Sequence, residues 1–210
     1  MTRLVLATRN EGKAREITSL LRGLPLEILT LRDFPEVPEL AEEGDTFAAN
    51  AAAKALAVAR ATGLMALADD SGLEVDHLEG APGVRSSRFA GEKAGDAENN
   101  HKLLRMLAGV PRDRRTARFR CVVAIALPDG RVSLAEGSCE GIITEEPRGA
   151  MGFGYDPLFL VPGLGLTFAE LDPGIKNEIS HRGRAMRRAR EALARLLGQQ
   201  PGGVESGSGE

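Results

Sequence analysis

Tryptophan is missing from this chain, tyrosine occurs once, and aromatic residues make up only 4% of it. There are two cysteines, Cys121 and Cys139. Both lie in strand-like segments outside any C-x-x-C pair or histidine cluster, which argues against a disulfide framework and leaves buried thiols as the expected role. The three histidines, His77, His101 and His181, show no zinc-ligand spacing. No window approaches the roughly 18 consecutive apolar residues of a membrane span. The apolar run after Met1 is too short for a signal-peptide core and has no small-residue cleavage site behind it, so it reads as a strand. A soluble, cytoplasmic protein with no membrane partner is therefore expected. An excess of charge of one sign is also missing: the net charge is -3 and the pI about 5.8, which gives no drive toward nucleic acid. Any anionic ligand must be held locally.

What is present suits a globular α/β protein. Of the 210 residues, 42% are hydrophobic and 27% charged, enough to build a core. The pattern predicts one bilobal domain over residues 1–197 and a glycine- and serine-rich tail over 198–210 with the composition of disorder. Leu4–Ala7 reads as a strand, Thr8–Gly12 as a polar turn, Lys13–Arg22 as a helix and Leu26–Leu31 as a second strand. An acidic loop carrying Glu39, Glu42, Glu43 and Asp45 precedes an alanine-rich helix to about Ala61, with Asp45 or Thr46 as its cap. The run Leu64–Ala68 then ends in Asp69-Asp70-Ser71-Gly72, read as a strand delivering two carboxylates and a hydroxyl into a turn, with Leu73–Val75 a short strand beyond it. A glycine-rich loop spans 80–95, and Asp96 is placed as the cap of a helix to Leu107. Thr116–Leu127 and Arg131–Ile143 form a hairpin around Pro128-Asp129-Gly130, so the sheet is mixed. The last helix runs from Ser180 to Leu197. Its arginines, Arg184, Arg187, Arg188, Arg190 and Arg195, read as a solvated face opposite Met186, Ala189, Leu193 and Leu197.

Three places carry candidate chemistry. Thr8, Arg9, Asn10, Glu11, Gly12 and Lys13 stand at a strand-to-helix turn, where backbone N–H groups and a helix dipole receive phosphate. It is not a Walker A loop, since Ala14 stands where Ser or Thr is required. Asp69 and Asp70, with Glu42 or Glu43 from a second loop, offer an all-oxygen site for a hard cation such as magnesium or manganese. A hydrolase needs one there: a carboxylate of pKa about 3.9 faces water at about 15.7, a gap worth about 16 kcal/mol. Gly152-Phe153-Gly154-Tyr155-Asp156-Pro157 is either a turn whose rings plug the core or a frame that stacks a base. Lys176, His181 and Arg182 follow, suited to phosphate or a carbonyl-bearing base edge.

Five motifs in order, Thr8-x-Asn10-x-x-Lys13, Glu42 ahead of Gly44-x-Thr46-Phe47, Ala68-Asp69-Asp70-Ser71-Gly72, Gly152-Phe153-Gly154-Tyr155-Asp156 and Ser180-His181-Arg182-Gly183, resemble the inosine triphosphate pyrophosphatase family of the bacterial dITP/XTP type, over residues 3 to about 197. The resemblance implies an elongated α/β fold with a long central mixed β-sheet flanked by helices, two lobes around a nucleotide-binding cleft, and a homodimer. It implies hydrolysis of non-standard purine nucleoside triphosphates (ITP, dITP, XTP) to the monophosphate and pyrophosphate. Carried over residue by residue, Thr8 to Lys13 bind triphosphate, Glu42 and Asp70 hold Mg2+ (with Mn2+ as substitute), and Asp70 is the proton acceptor. Ser71, Phe153, Gly154, Tyr155, Asp156, Lys176, His181 and Arg182 contact substrate, and Lys54 and Asp69 match further phosphate-binding or catalytic positions. Two departures stand out: Ala49 precedes Asn50 where a glutamate is common, and Glu43 beside Glu42 leaves the metal-binding glutamate open between the two. The competing readings are a nucleotide sensor without turnover, a pyrophosphatase for modified pyrimidine nucleotides, and an RNA-binding module resting on the last helix.

Overall fold

A computed structural model describes residues 1–38, 42 and 44–198. Glu39, Glu43 and the tail beyond Gly198 lie outside the described residues. Strand β1 (Thr2–Leu6) pairs in parallel with β2 (Leu26–Thr30) on one side and with β3 (Met65–Val75) on the other. Its Leu4, Val5 and Leu6 are wholly buried, as a continuous apolar run demands of a central strand covered on both faces. Strands β4 (Thr116–Ala126), β5 (Val132–Ile143), β6 (Phe159–Val161) and β7 (Leu166–Thr167) continue the sheet antiparallel, giving the order β2-β1-β3-β4-β5-β6-β7. The β4–β5 hairpin turns through Pro128-Asp129-Gly130 as expected, closed by Leu127 N–H donating to the Arg131 carbonyl at 2.9 Å.

One face of the sheet is covered by α2 (Phe47–Thr62), whose Ala51, Ala55, Val58 and Ala59 lie against Val5, Ala66, Ala68, Val122 and Ala124. The other face carries α1 (Glu11–Leu20) and α5 (His181–Leu196), which pack Ile17, Met186, Ala189 and Leu193 on Leu4, Leu6, Leu67 and Val123. Each large side chain so buried contributes about 1.5–3 kcal/mol. A third apolar cluster joins Leu103 of α3 (Asp96–Met106) to Leu73 of β3, Phe119 of β4, Ile143 of β5, Phe159 of β6 and Phe168 just after β7. Gly137 on β5 lets the start of α5 approach closely: a Cβ there would run into the His181 carbonyl and the Ala185 amide. Both cysteines are buried free thiols.

Four expectations need correction. The Asp69-Asp70-Ser71-Gly72 stretch is not a turn: β3 passes straight through it, every residue from Ala66 to Val75 paired with β4. The polar residues sit there because β1 ends. Its ladder with β3 stops at Leu6–Leu67, closed by Ala7 N–H on the Leu67 carbonyl at 2.8 Å, so beyond that point β3 loses its second neighbour. The first helix starts at Glu11, because the Asn10 side chain caps it by accepting from Lys13 N–H at 3.0 Å. Asp96 lies inside α3, whose cap is Gly95. A short helix, α4 (Pro173–Ile179), precedes α5 and was not foreseen; Ser180 ends the one and caps the other, its hydroxyl accepting from Gly183 N–H.

Candidate active site

Where β1 turns away, β3 and its flanking helices border a cleft of about 860 Å³. Thr8, Arg9, Asn10 and Lys13 line it from the β1–α1 turn, and Glu42, Lys54, Asp70 and Ser71 from the α2 side and β3. Phe153 to Asp156, Lys176, His181 and Arg182 form the opposite wall. Glu11, Gly12 and Asp69 stand off the lining. Glu11 is exposed and paired with Arg32 and Arg15. At Gly12 a Cβ would lie 2.8 Å from Phe153 Cδ1, so the lack of a side chain makes room for that ring against the first turn of α1.

Strand alternation separates the two adjacent aspartates. Asp70 points to the α2 face. Its Oδ1 accepts from Lys54 Nζ at 3.0 Å and its Oδ2 from Asn50 Nδ2 at 3.1 Å. Lys54 also donates to Glu42 Oε1 at 2.7 Å and to the Asp69 carbonyl at 3.0 Å. One ammonium thus serves two carboxylates. Burial opposes the Lys54 charge, yet Asp70 and Glu42 together raise its pKa above the ordinary value. Glu42, despite its burial, is held below its usual range by Lys54. Asp70 goes the other way: burial raises its pKa and the Glu42 charge adds to that, against the pull of Lys54 and Lys13. Arg88 reaches across to donate to the Glu42 carbonyl at 2.9 Å.

Asp69 points to the opposite face and does not converge with Asp70 and Glu42 as the sequence suggested. Its buried Oδ2 accepts from Arg182 Nη2 at 3.0 Å and Nε at 3.2 Å, with Lys13 Nζ at 3.3 Å and the Ser71 hydroxyl at 3.2 Å. Burial alone would raise its pKa, but Lys13 and Arg182 outweigh it and hold the carboxyl well below the usual range. Beside it, burial and the Asp69 charge push the Cys121 thiol up to about 12, so it stays protonated and inert.

Arg182 is not the free base-reading fork its sequence position suggested. Besides the two bonds to Asp69, it donates to Ser71 Oγ at 2.9 Å and to Glu16 Oε2 at 2.6 Å. Four of a guanidinium's five N–H groups are thereby committed, and the fifth has no partner among the described residues. Lys176 is similarly engaged with Glu16 Oε1 at 2.8 Å and Asp156 Oδ2 at 2.6 Å, its ammonium 5.0 Å from the Phe153 ring centroid. Tyr155 is a core residue whose hydroxyl donates to the Ser86 carbonyl at 2.9 Å; only Phe153 of the two rings is partly open to the cleft. His181 stacks on Phe119 with centroids 4.6 Å apart, and its Nδ1 is buried without a partner among the described residues. Burial, with Arg182 and Lys176 nearby, keeps its pKa well below 6.5, so the ring is neutral.

The comparison with known proteins fits this geometry. The sequence model of the Ham1 family matches residues 4–192. The chain belongs to the Ham1 family. It is 59% identical over 194 residues to the dITP/XTP pyrophosphatase of Desulforamulus reducens, covering 92% of this chain and 96% of that one. It is 55% identical over 186 residues to the dITP/XTP pyrophosphatase of Geobacter sulfurreducens, with 89% and 94% covered. Among solved structures, a HAM1 protein from Coxiella burnetii superposes with a TM-score of 0.85 at 45% identity, covering 93% of this chain and all of that one (100%). A nucleoside-triphosphatase / dITP/XTP pyrophosphatase from Mycobacterium abscessus gives 0.72 at 41% identity, with 93% and 99% covered.

Several residues of this Ham1 cleft escaped the sequence reading. Glu16 binds both Lys176 and Arg182, and its only signal was its place one helical turn after Lys13. Asn50 stands one turn before Lys54 on α2 and shares Asp70 with it, whereas Arg88 had no local signal, since its partner lies across the fold. The donor set on the α2 side suits a hard divalent ion: two carboxylates, Glu42 and Asp70, meet at the Lys54 ammonium, with Arg88 Nη1 also 3.4 Å from Glu42 Oε2, and they supply the all-oxygen ligands such an ion takes. Magnesium is bound in this manner, by one or two carboxylates with water and substrate phosphates completing its shell.

Proposed function

We propose that this Ham1-family chain hydrolyses non-standard purine nucleoside triphosphates, dITP, XTP and ITP, to the monophosphate and pyrophosphate, with residues 1–197 acting as one bilobal unit. The observation that carries this reading is a single cleft with a carboxylate and lysine cluster (Glu42, Lys54, Asp70) on one wall and Phe153 with Lys176, His181 and Arg182 on the other. The substrate class comes from the relatives, the two compared above being dITP/XTP pyrophosphatases.

In this mechanism the triphosphate lies against the start of α1. Of the four N–H groups an α-helix leaves unpaired at its start, Asn10's is taken by the Thr8 hydroxyl and Lys13's by the Asn10 side chain. Those of Glu11 and Gly12 have no partner among the described residues and add to the positive end of the helix dipole, while Thr8, Asn10 and Lys13, which line the cleft, face the phosphate oxygens. Asp70 accepts the proton of the attacking water, held in line by Asn50 and Lys54. Glu42 and Asp70 are the residues that would hold magnesium, for which manganese is the expected substitute, and the ion would acidify water and neutralise phosphate charge. Phe153 stacks on the base, worth about 1–3 kcal/mol. The remaining Arg182 N–H suits the 6-oxo acceptor of hypoxanthine or xanthine, where adenine presents a donor; a buried polar mismatch of this kind discriminates by about 10⁴-fold. A homodimer and a cytoplasmic setting complete the reading. No helix among the described residues is long and apolar enough to cross a membrane. Several arginines of α5 are engaged with protein carbonyls, Arg184 with Ser138, Arg188 with Glu136 and Arg190 with Leu20, which disfavours an RNA-binding face.

The test is pyrophosphate release from ITP, dITP, XTP, GTP, ATP and dUTP with magnesium, with manganese and with chelator, for wild type and Asp70→Asn. Metal-dependent turnover of the first three, lost in the variant, is expected. Turnover confined to dUTP would favour the pyrimidine reading. Binding of ITP with no turnover would favour a sensor.

A further inference from the structure

The loop that carries Phe153 is gripped from a third element, α3, which the mechanism above does not use. Asp96 Oδ2 accepts from Gly154 N–H at 2.6 Å, and Asn100 Nδ2 donates to the Gly154 carbonyl at 2.9 Å. The two side chains stand four residues apart on α3 and so on one helical face. Gly154 has φ of +62°, a left-handed conformation that a glycine adopts without strain. Its N–H belongs to the peptide plane leading from Phe153, and its carbonyl to the plane leading into Tyr155. Since a peptide unit is planar and only φ and ψ are soft, fixing both planes fixes the backbone on either side of Gly154. Asn99, next on the same helix, does the same for the facing segment: its Oδ1 accepts from Ala90 N–H at 2.8 Å and its Nδ2 donates to the Ser87 carbonyl at 3.0 Å. The two segments are further joined by Tyr155 donating to Ser86.

We propose that Asp96 and Asn100 are positioning residues for base recognition: by clamping both peptide planes of Gly154 they hold the Phe153 ring where the purine stacks. This rests on the reading that Phe153 contacts the base. The clamp acts on the base end of the substrate and leaves the phosphate end untouched, because Lys13, Lys54 and Asp70 have no contact with α3 side chains among their hydrogen bonds and ion pairs.

The experiment measures ITP kinetics, together with inhibition by IMP and by pyrophosphate, in Asp96→Ala, Asn100→Ala, Asp96→Asn and Phe153→Ala. Loss of one clamp bond is expected to raise KM for ITP and Ki for IMP about three- to tenfold, with kcat within about twofold and Ki for pyrophosphate unchanged. Asp96→Asn, which keeps an acceptor for Gly154, recovers most of the loss; it and Asn100→Ala carry the test if Asp96→Ala fails to fold. If Phe153→Ala weakens IMP while the α3 variants do not, the clamp is refuted and the base reading stands. If IMP and pyrophosphate weaken together in the α3 variants, the effect is general destabilisation and the proposal falls. If Phe153→Ala leaves IMP binding intact, the base reading itself fails and takes the clamp with it.

Discussion

Asp69 and Asp70 are neighbours in sequence on opposite faces of β3, so neutralising each should give opposite signatures in stability and activity. Asp69 is buried against Arg182, itself 2% exposed, and deleting one member of a buried ion pair costs about 3–5 kcal/mol. Glu16 remains on Arg182 and favours the lower figure. At about 2–4 °C per kcal/mol for a chain of this size, a loss near 3 kcal/mol lowers the melting temperature of Asp69→Asn by roughly 6–12 °C. Asp70 differs in sign. Burial raises its pKa where that of Asp69 is lowered, so folding gains less from the Asp70 charge, although that charge also supports the buried Lys54. Glu42 still pairs Lys54. The melting temperature of Asp70→Asn should therefore move by no more than about 3 °C, while pyrophosphate release from ITP is abolished. Thermal melts and a pyrophosphate assay on the two variants decide the matter. An Asp69→Asn protein as stable as wild type, or less stability in Asp70→Asn than in Asp69→Asn, would refute the division of labour argued from the strand's alternation.

Two further outcomes follow from the same site. Glu16→Ala leaves Lys176 and Arg182 without the carboxylate that both bind, and since a hydrogen bond to a charged group is worth about 1.5–3 kcal/mol, KM for ITP should rise about tenfold or more; an unchanged KM would mean that Glu16 does not order the pocket. His181 is neutral in the fold, with its pKa depressed by burial, whereas in the unfolded chain it takes up a proton near 6.5. Its contribution to stability is thus present above that pH and lost as pH falls below it. In His181→Phe, which retains an aromatic ring against Phe119, the decline in melting temperature between about pH 7 and pH 5 should be shallower than in wild type; parallel declines would contradict the assignment.

Most elements were legible because their signals are local. The apolar run of β1, the Thr46 cap and alanine-rich stripe of α2, the Pro-Asp-Gly hairpin and the amphipathic α5 each depend on residues within a few positions of one another. The helix starts at Glu11 and Asp96 were missed by one or two residues for local capping reasons, and the larger misreadings arose where a distant partner decides. Asp69-Asp70-Ser71-Gly72 has turn composition, yet β4 pairs with it throughout and tertiary pairing overrides propensity. Tyr155 and Phe153 could not be told apart by sequence, since the difference between core plug and cleft wall rests on Ser86, which lies 69 residues away from Tyr155.

The sequence by itself determined the chemistry available: which side chains can hold phosphate, a hard cation or a base, the order in which they occur, and the family they match. Tertiary structure alone decided how they are shared out. That β1 stops at Leu6 while β3 runs on to Val75 opens the cleft along Asp70 and Ser71, and strand alternation sends Asp69 to Arg182 and Asp70 to Lys54. Glu16, Asn50, Asp96 and Asn100 join the site only because helices from separate parts of the chain pack around that one strand end. Contacts of that range leave no periodic trace in the sequence, because what fixes them is the closure of the sheet and the packing of its helices.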